Sequence, residues 1–449
     1  MAVGWQGKVF SGAMAAALLA VAPAYAQSLS DTVRMAVQSS PKVMSMIHNR
    51  ESVDAEMRRA KGLYLPQLDV RSAIGPEYTE NILTEGTNGQ HIRSELGAVL
   101  AEKIYDGGNT SGQVDNERGR SKSAAYRVRE NAEDIGLDAV EAHLDVVRLR
   151  KVFQFAEDNV KAHQDLLARV QQRSAGGAGR EADVAQAQSR LDLAIATRDE
   201  TRGMLEDAEA HYLDTVGSPP AALEDAAVPT TAVSTDINAE LAQLQAQNPT
   251  VKAKEADIEA AQGLVEQADS RFDPTVSVEV SGDKNRNVGG FPGRDNEARA
   301  LLVLRWNLYA GGSDIANREA AYAQVAQAKT DRLQALRDAE ENLRQSQSAY
   351  NAAMKRVPTL QDSLARAQQV RDAYSQQFQL GQRTLLDLLD AQNEVFQAQT
   401  RLATAQGQAT FNAYRILAVE GMLLSSLNVQ PPAAADPNHA PGIAPRPEG

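Results

Sequence analysis

Asp387 and Asp390 stand three residues apart in the stretch "GQRTLLDLLDAQNEV", residues 381–395. Carboxylates three apart share one side of a helix. There they can hold a cation, exchange a proton with a substrate, cap a helix start or ring a pore. Thr384 precedes Asp387 at capping-box spacing, and acids are favoured by the dipole in a first helical turn. Capping accounts for Asp387 and leaves Asp390 unexplained, so the stretch alone keeps all four chemistries open.

Other reactive residues are few. The histidines His48, His91, His143, His163, His211 and His439 are scattered, with no H-E-x-x-H and no partner at ligand spacing. They are expected on solvated surface, and no metal site is expected. "GAGREA", Gly177 to Ala182, fits the letter of a G-x-G-x-x-A nucleotide motif, but a helical run precedes it where that motif needs a strand. It is expected to be a reversal turn. No G-x-S-x-G elbow or P-loop occurs. The absence of cysteine excludes disulfides, zinc thiolates, a thiol nucleophile and a lipid on an N-terminal cysteine. The expectation is a protein that is not an enzyme and needs no cofactor.

Residues 1–26 have the pattern of an export signal peptide: Lys8, an apolar run from Val9 to Val21, and a small-x-small end at Ala24 to Ala26. Losing Lys8 takes the formal net charge from −13 to −14. Such a chain has no basic stripe to replace phosphate counterions, so nucleic acid is not an expected partner. After the signal no run approaches the roughly 20 apolar residues of a membrane helix. Periplasm, outer membrane and medium remain as destinations.

The elements that must position the acids come from a duplication. A shift of 208 residues lays "SPKV" at Ser40 on "NPTV" at Asn248, Tyr64 on Phe272 and Pro66 on Pro274. Downstream, a shift of 204 lays Tyr105 on Tyr309, Gly107 and Gly108 on Gly311 and Gly312, Gly177 on Gly381 and Asp183 on Asp387. Order kept this far marks a repeat. The four-residue change falls between the prolines and the Tyr-x-Gly-Gly pairs, where a loop is expected to absorb it.

Within that window the apolar period changes to two. Val276, Val278 and Val280 share one face, as do Ala300, Leu302, Leu304, Trp306 and Leu308, with weaker counterparts in the first copy. Each copy therefore contributes one hairpin. Outside it, from about Ser111 to Ser174 and from about Ser313 to Leu380, the chain is rich in Ala, Gln, Glu, Arg and Leu, and Pro358 is the one breaker noted in the second run. These are expected to be coiled-coil-like rods, each reversed at "SAGGAGRE" or "LGQRT" into a shorter returning helix.

The expected organisation is a first repeat over 27–217 with a hairpin near 67–105, a linker over 218–236 and a second repeat over 237–429 with a hairpin near 275–309. A Pro-rich, disordered tail follows over 430–449. The fold class is mainly α with a membrane β-barrel portion. Four strands per chain cannot close in lipid, where an open edge leaves backbone groups without partners. Oligomers escape this, two chains giving eight strands and three giving twelve, and a strand-walled barrel joined to a helical tube is a duct.

The two-copy plan, the Pro-strand-hairpin-strand-"Y-x-G-G" passages and the "G-Q-R-T-L-L-D-L-L-D-A-Q" turn resemble the TolC-type outer-membrane efflux proteins over nearly the whole mature chain. The leucine-rich turn is similar to the branch serving type I protein secretion. The resemblance implies a homotrimer with a twelve-stranded barrel in outer-membrane lipid and an α-helical tunnel in the periplasm. Its implied partners are a periplasmic adaptor (membrane fusion protein) and an inner-membrane ABC or proton-driven transporter. Multidrug or metal efflux through the same duct is the alternative cargo.

The resemblance also implies residue roles. Asp387 and Asp390 match the acids at the narrow periplasmic aperture, where three chains bring six carboxylates together. Arg383 and Asp183 match positions whose contacts latch the tunnel closed, with Phe378 where some members carry a hydrogen-bonding Tyr, so one latch contact is missing. Gln186 takes the place of Asp390 in the first copy. Tyr105, Gly107, Gly108, Tyr309, Gly311 and Gly312 are read as strand-to-helix junctions, while Trp306 fits either a junction or an interfacial aromatic belt. Rival readings are a coiled-coil stalk or adhesin, which predicts the rods but not the hairpins, and a periplasmic hydrolase using the acid pair.

Overall fold

The computed structural model describes residues 26–80, 82, 90–177, 179–230, 232–234 and 236–439. The signal-peptide assignment therefore lies outside the described residues, Ala26 excepted, as does Ala178 of the first reversal. Two helices dominate, α3 (Asn109–Ala175) and α7 (Ser313–Gln379), each of 67 residues. At 1.5 Å per residue each is about 100 Å long. No helix among the described residues is long and apolar enough to cross a membrane. α7 runs through Pro358 without ending, giving up the backbone donor that proline lacks.

Shorter helices pack along both rods. α2 (Pro41–Gly62) and α6 (Pro249–Asp269) lie against the N-terminal part of α3, and α6 also reaches α7 through Arg332 and Glu255. α4 (Glu181–Val216) returns along α3, and α8 (Leu385–Val419) returns along α7 and also packs on α3. The "SPKV" and "NPTV" repeats are helix starts. Pro41 and Pro249 open α2 and α6, where a missing N–H is harmless, and the Asn248 side chain accepts from Val251 N. Between the two levels, α1 (Leu29–Ser39), α5 (Ile237–Gln247) and α9 (Leu423–Ser426) close over a core that includes Val33, Val140, Tyr212, Leu244, Leu343 and Ile416.

The strands β1 (Gln67–Tyr78), β2 (Gln90–Tyr105), β3 (Thr275–Arg286) and β4 (Arg294–Arg305) form one antiparallel sheet in chain order. Pairing of β2 with β3 joins the two copies. The register places Leu68, Leu100, Val280 and Ala300 in one row across all four strands. Alternate residues share a face, so Val70, Ile74, Val278, Leu302 and Leu304 lie on that same side. The opposite side carries the rows Asp69, Val99, Ser281, Arg299 and Arg71, Gly97, Asp283, Glu297. One face is thus apolar and the other polar. The apolar face is bare within the chain: Ile74 is 80% and Leu302 72% exposed.

β1 and β3 have equal length, and the four-residue difference between copies sits in the hairpin loops, 79–89 against 287–293. Most of the first tip lies outside the described residues. The Gly pairs then turn each strand into its rod with left-handed backbone, φ 64° and 93° at Gly107 and Gly108, 66° and 85° at Gly311 and Gly312. Side chains with a Cβ are strained there. Tyr105 ends β2 and is half-exposed, while Tyr309 lies beyond β4 and is exposed. The Trp306 indole donates to Phe272 O at 3.0 Å, which ties the exit from β4 to the 3-10 turn Ser270–Phe272 that follows α6.

Two expectations need correction. Of the tail expected to be disordered over 430–449, residues 430–439 have a defined conformation: Ala433–Ala435 forms a 3-10 turn, and Arg50 donates to the carbonyls of Ala434, Asp436 and His439. A buried guanidinium needs acceptors, and the tail backbone supplies them; residues 440–449 lie outside the described residues. Within the linker, Val228 and Val233 pack on the core and Leu223 pairs with Gln27. His143 and His163 are buried at 0% and 4% exposure, so they are not solvated surface.

Candidate functional site

Both rods reverse at the same end of the molecule. After α7, Leu380 caps the helix, Gly381 turns the chain at φ 74°, and Thr384 caps α8. After α3 the turn runs through Gly177 at φ 77° to Arg180, which caps α4 without a side-chain hydrogen bond. Leu385, Leu388 and Leu389 are buried against Leu166, Leu167 and Val170 of α3 and Ala187 and Leu191 of α4. These leucines anchor the turn. Their spacing leaves Asp387 half-buried and Asp390 exposed.

The two acids have different partners. Asp387 completes a reciprocal capping box: its N–H donates to Thr384 Oγ1 at 3.3 Å, and its Oδ2 accepts from Thr384 N at 3.3 Å and from the Thr384 hydroxyl at 2.8 Å. The Thr384 hydroxyl holds the carboxyl below the usual carboxylate range, with Arg383 adding to the effect from 3.6 Å. Asp390 instead crosses to the first copy, where Arg190 Nη2 donates to its Oδ1 at 3.0 Å. Each acid thus has an arginine within its own chain.

Arg383 is not joined to Asp183. Its Nε donates to Gln377 Oε1 at 3.1 Å, and its guanidinium lies 4.2 Å from the centre of the Tyr374 ring. Arg383 and Asp183 are therefore apart within one chain, where Asp387, four residues on, and the end of α7 engage the guanidinium. Asp183, at the counterpart of Asp387, makes no side-chain hydrogen bond or ion pair among the described residues. The cause is local: Arg180 replaces Thr384 in the first copy, and an arginine has no acceptor with which to build a capping box. Phe378 packs against the leucine cluster beneath the Arg173 guanidinium at 5.5 Å, and its carbonyl accepts from Arg173 Nη1 at 3.4 Å.

Arg190, Arg173 and Tyr374 were not singled out in the sequence. Arg190 was within reach, since it follows Asp183 by seven residues on the same face of α4. Arg173 and Tyr374 carry no such spacing signal. Among the described residues no group of three or more His, Asp or Glu side chains is placed to hold a metal ion. The arrangement can pair charges, cap helices and present acids at one end of a rod.

The sequence model of the outer membrane efflux protein family matches residues 32–211 and 241–421, one segment on each side of the linker. The chain is 26% identical over 374 residues to outer membrane efflux protein BepC of Brucella suis biovar 1, covering 82% of this chain and 80% of that protein. It is 21% identical over 391 residues to outer membrane protein TolC of Vibrio cholerae, covering 85% and 88%. Among solved structures, the outer-membrane channel OprN superposes with a TM-score of 0.77 at 18% identity, over 88% of this chain and 90% of that one. With both halves matched and the fold shared, the chain belongs to the outer membrane efflux protein family, whose members are channels of the outer membrane and not enzymes.

Proposed function

We propose that three copies of this chain form one export duct, with a barrel in the outer membrane and a helical tunnel in the periplasm. The observation that carries this reading is the sheet, with one apolar face, one polar face and an unpaired edge on both β1 and β4. In lipid those edges must pair. Three chains of four strands each supply a closed twelve-stranded wall, apolar outward and polar inward. The rods continue it, and the reversals bring three copies of Asp387 and Asp390 to the narrow periplasmic aperture. There Asp183, without a side-chain partner among the described residues of its own chain, is available to Arg383 of a neighbouring copy as the closed-state latch.

Cargo passes through such a duct passively, so energy enters from an inner-membrane transporter joined by a periplasmic adaptor. The leucine-rich turn supports type I protein secretion with an ABC transporter. BepC's name supports efflux, and the second reading is a multidrug or metal efflux duct of the same architecture, served by a proton-driven transporter.

The test is conductance in planar bilayers, comparing the native protein with the Asp387→Ala, Asp390→Ala double variant. Small cation-selective currents, larger and less selective in the variant, are expected, together with a trimer band that survives SDS at room temperature. Folded, membrane-inserted protein that passes no current overturns the duct.

A further inference from the structure

A cleft of about 300 Å³ opens beside the Arg190–Asp390 pair, where α3, α4 and α8 meet. Its polar lining comes from Asn159 and His163 on α3, Arg190 and Thr197 on α4, and Asn393 and Gln397 on α8. In a chain of net charge −13 this lining contains one cation and no carboxylate. A cation on a wall without acids of its own favours an anion there, although Arg190 already shares its charge with Asp390.

Two features ask for a ligand. His163 is 4% exposed and neither ring nitrogen has a hydrogen-bond partner among the described residues; Nδ1 is sealed from solvent, so Nε2 is the nitrogen that a ligand in the cleft can reach. A buried polar group without a partner is costly and rare. Arg190 in turn gives only Nη2 to Asp390, so Nε and Nη1 of its planar fork have no partner among the described residues. A guanidinium fork suits the two oxygens of a carboxylate or phosphate.

We propose that this cleft binds a small oxyanion, a carboxylate or a phosphate, held by Arg190 and His163 with the Asn393 and Gln397 amides. Burial keeps the His163 imidazole neutral, and the Arg190 charge pushes in the same direction. Arg190 is the charged group facing it, and the remaining polar lining is neutral. An anion at this point favours the imidazolium, so binding takes up a proton and strengthens as pH falls. A second anion on Arg190 also competes with Asp390 for the guanidinium. That consequence rests on the duct reading and links cleft occupancy to free acid at the aperture, whereas the binding itself does not depend on it.

The experiment is calorimetric titration of the full chain in detergent with sodium phosphate and, separately, sodium benzoate, at constant ionic strength. Saturable binding of at least one anion is expected, weakened about tenfold in Arg190→Gln, as loss of a charge-assisted contact predicts. In His163→Gln the gain in affinity on lowering the pH should disappear. Phosphate alone identifies an inorganic ligand and benzoate alone an organic acid, and either supports the site. Arg190→Lys, which keeps the charge but not the fork, serves if the Gln variant does not fold, and intermediate affinity is expected. Saturation by neither anion, or unchanged affinity in a folded Arg190 variant, overturns the proposal. Because no membrane or current is involved, a failed duct and a failed anion site give different results.

Discussion

Arg190 of the first copy and Asp390 of the second meet across the reversal end, Nη2 to Oδ1 at 3.0 Å. The repeat therefore does more than duplicate a helix pair. Gln186 stands at the first copy's counterpart of Asp390, and one turn further on Arg190 supplies the opposite charge. In the proposed aperture of three such chains, the Asp390 half of the acids is already paired across copies.

Removing that partner should expose the acid. Arg190→Gln is expected to raise cation selectivity and strengthen block by multivalent cations, read as a shift in reversal potential under a salt gradient. Stability should change little, since an exposed ion pair contributes roughly 0–1 kcal/mol. Unchanged selectivity would place Asp390 away from the conducting path.

Thr384→Ala removes one side of the capping box and frees the Asp387 carboxyl toward its ordinary range. Loss of such a cap costs about 1 kcal/mol, with a range of roughly 0.5–2. The expected readout is faster hydrogen exchange confined to the first turn of α8 and no change at Gly177. Equal protection in the variant would mean that the buried leucines alone hold the turn.

Stability should fall as pH rises from acid to alkaline. Burial pushes Asp134 up to about 6, Glu133 to about 7 and Glu420 to about 9, the last also facing the buried Glu240. Raised carboxyl values mean that the folded chain holds protons the unfolded chain has lost. This contribution is complete below about pH 4, where unfolded carboxyls are still protonated, and declines as pH climbs through the folded values. An apparent melting temperature higher at pH 5 than at pH 8.5 is expected, with the difference reduced in Glu420→Gln. A flat profile would contradict the burial argument.

The repeat, the rods, the hairpins and the capping box were legible because each is a local pattern. Period two changes to a helical period at "Y-x-G-G", and Thr384 precedes Asp387 at a fixed spacing. What the sequence hid depends on which helices meet. Nothing near Asp390 points to a residue 200 positions earlier. His143 looks solvated in sequence, yet it is buried between Thr32 of the first copy, at 2.9 Å from Nδ1, and Glu224 O of the linker, at 2.9 Å from Nε2. Arg383 had two compatible partners by spacing and resemblance. Within one chain the nearer, Asp387, wins because a contact four residues along the chain orders less of it than one to α4.

The tail correction leads to the last prediction. Arg50 is 2% exposed and donates Nε to Asp54 Oδ2 at 3.1 Å, Nη1 to Ala434 O at 2.8 Å and Asp436 O at 3.1 Å, and Nη2 to His439 O at 3.4 Å. Asp54, itself buried, also accepts from the Ser121 hydroxyl on α3. The last described residues are thereby tied to α2 and α3, and the composition of the tail gave no sign of it. Arg50→Ala leaves Asp54 buried with the Ser121 hydroxyl as its one side-chain partner among the described residues, a loss of about 3–5 kcal/mol for a broken buried pair. Arg50→Ala, Asp54→Ala should recover part of that loss, because the stranded charge is gone. Truncation after Gln430 should cost less than Arg50→Ala, since solvent can then reach the guanidinium. Thermal melts of the three variants order these effects, and a truncation as damaging as the arginine substitution would mean that the tail, rather than the ion pair, carries the stability.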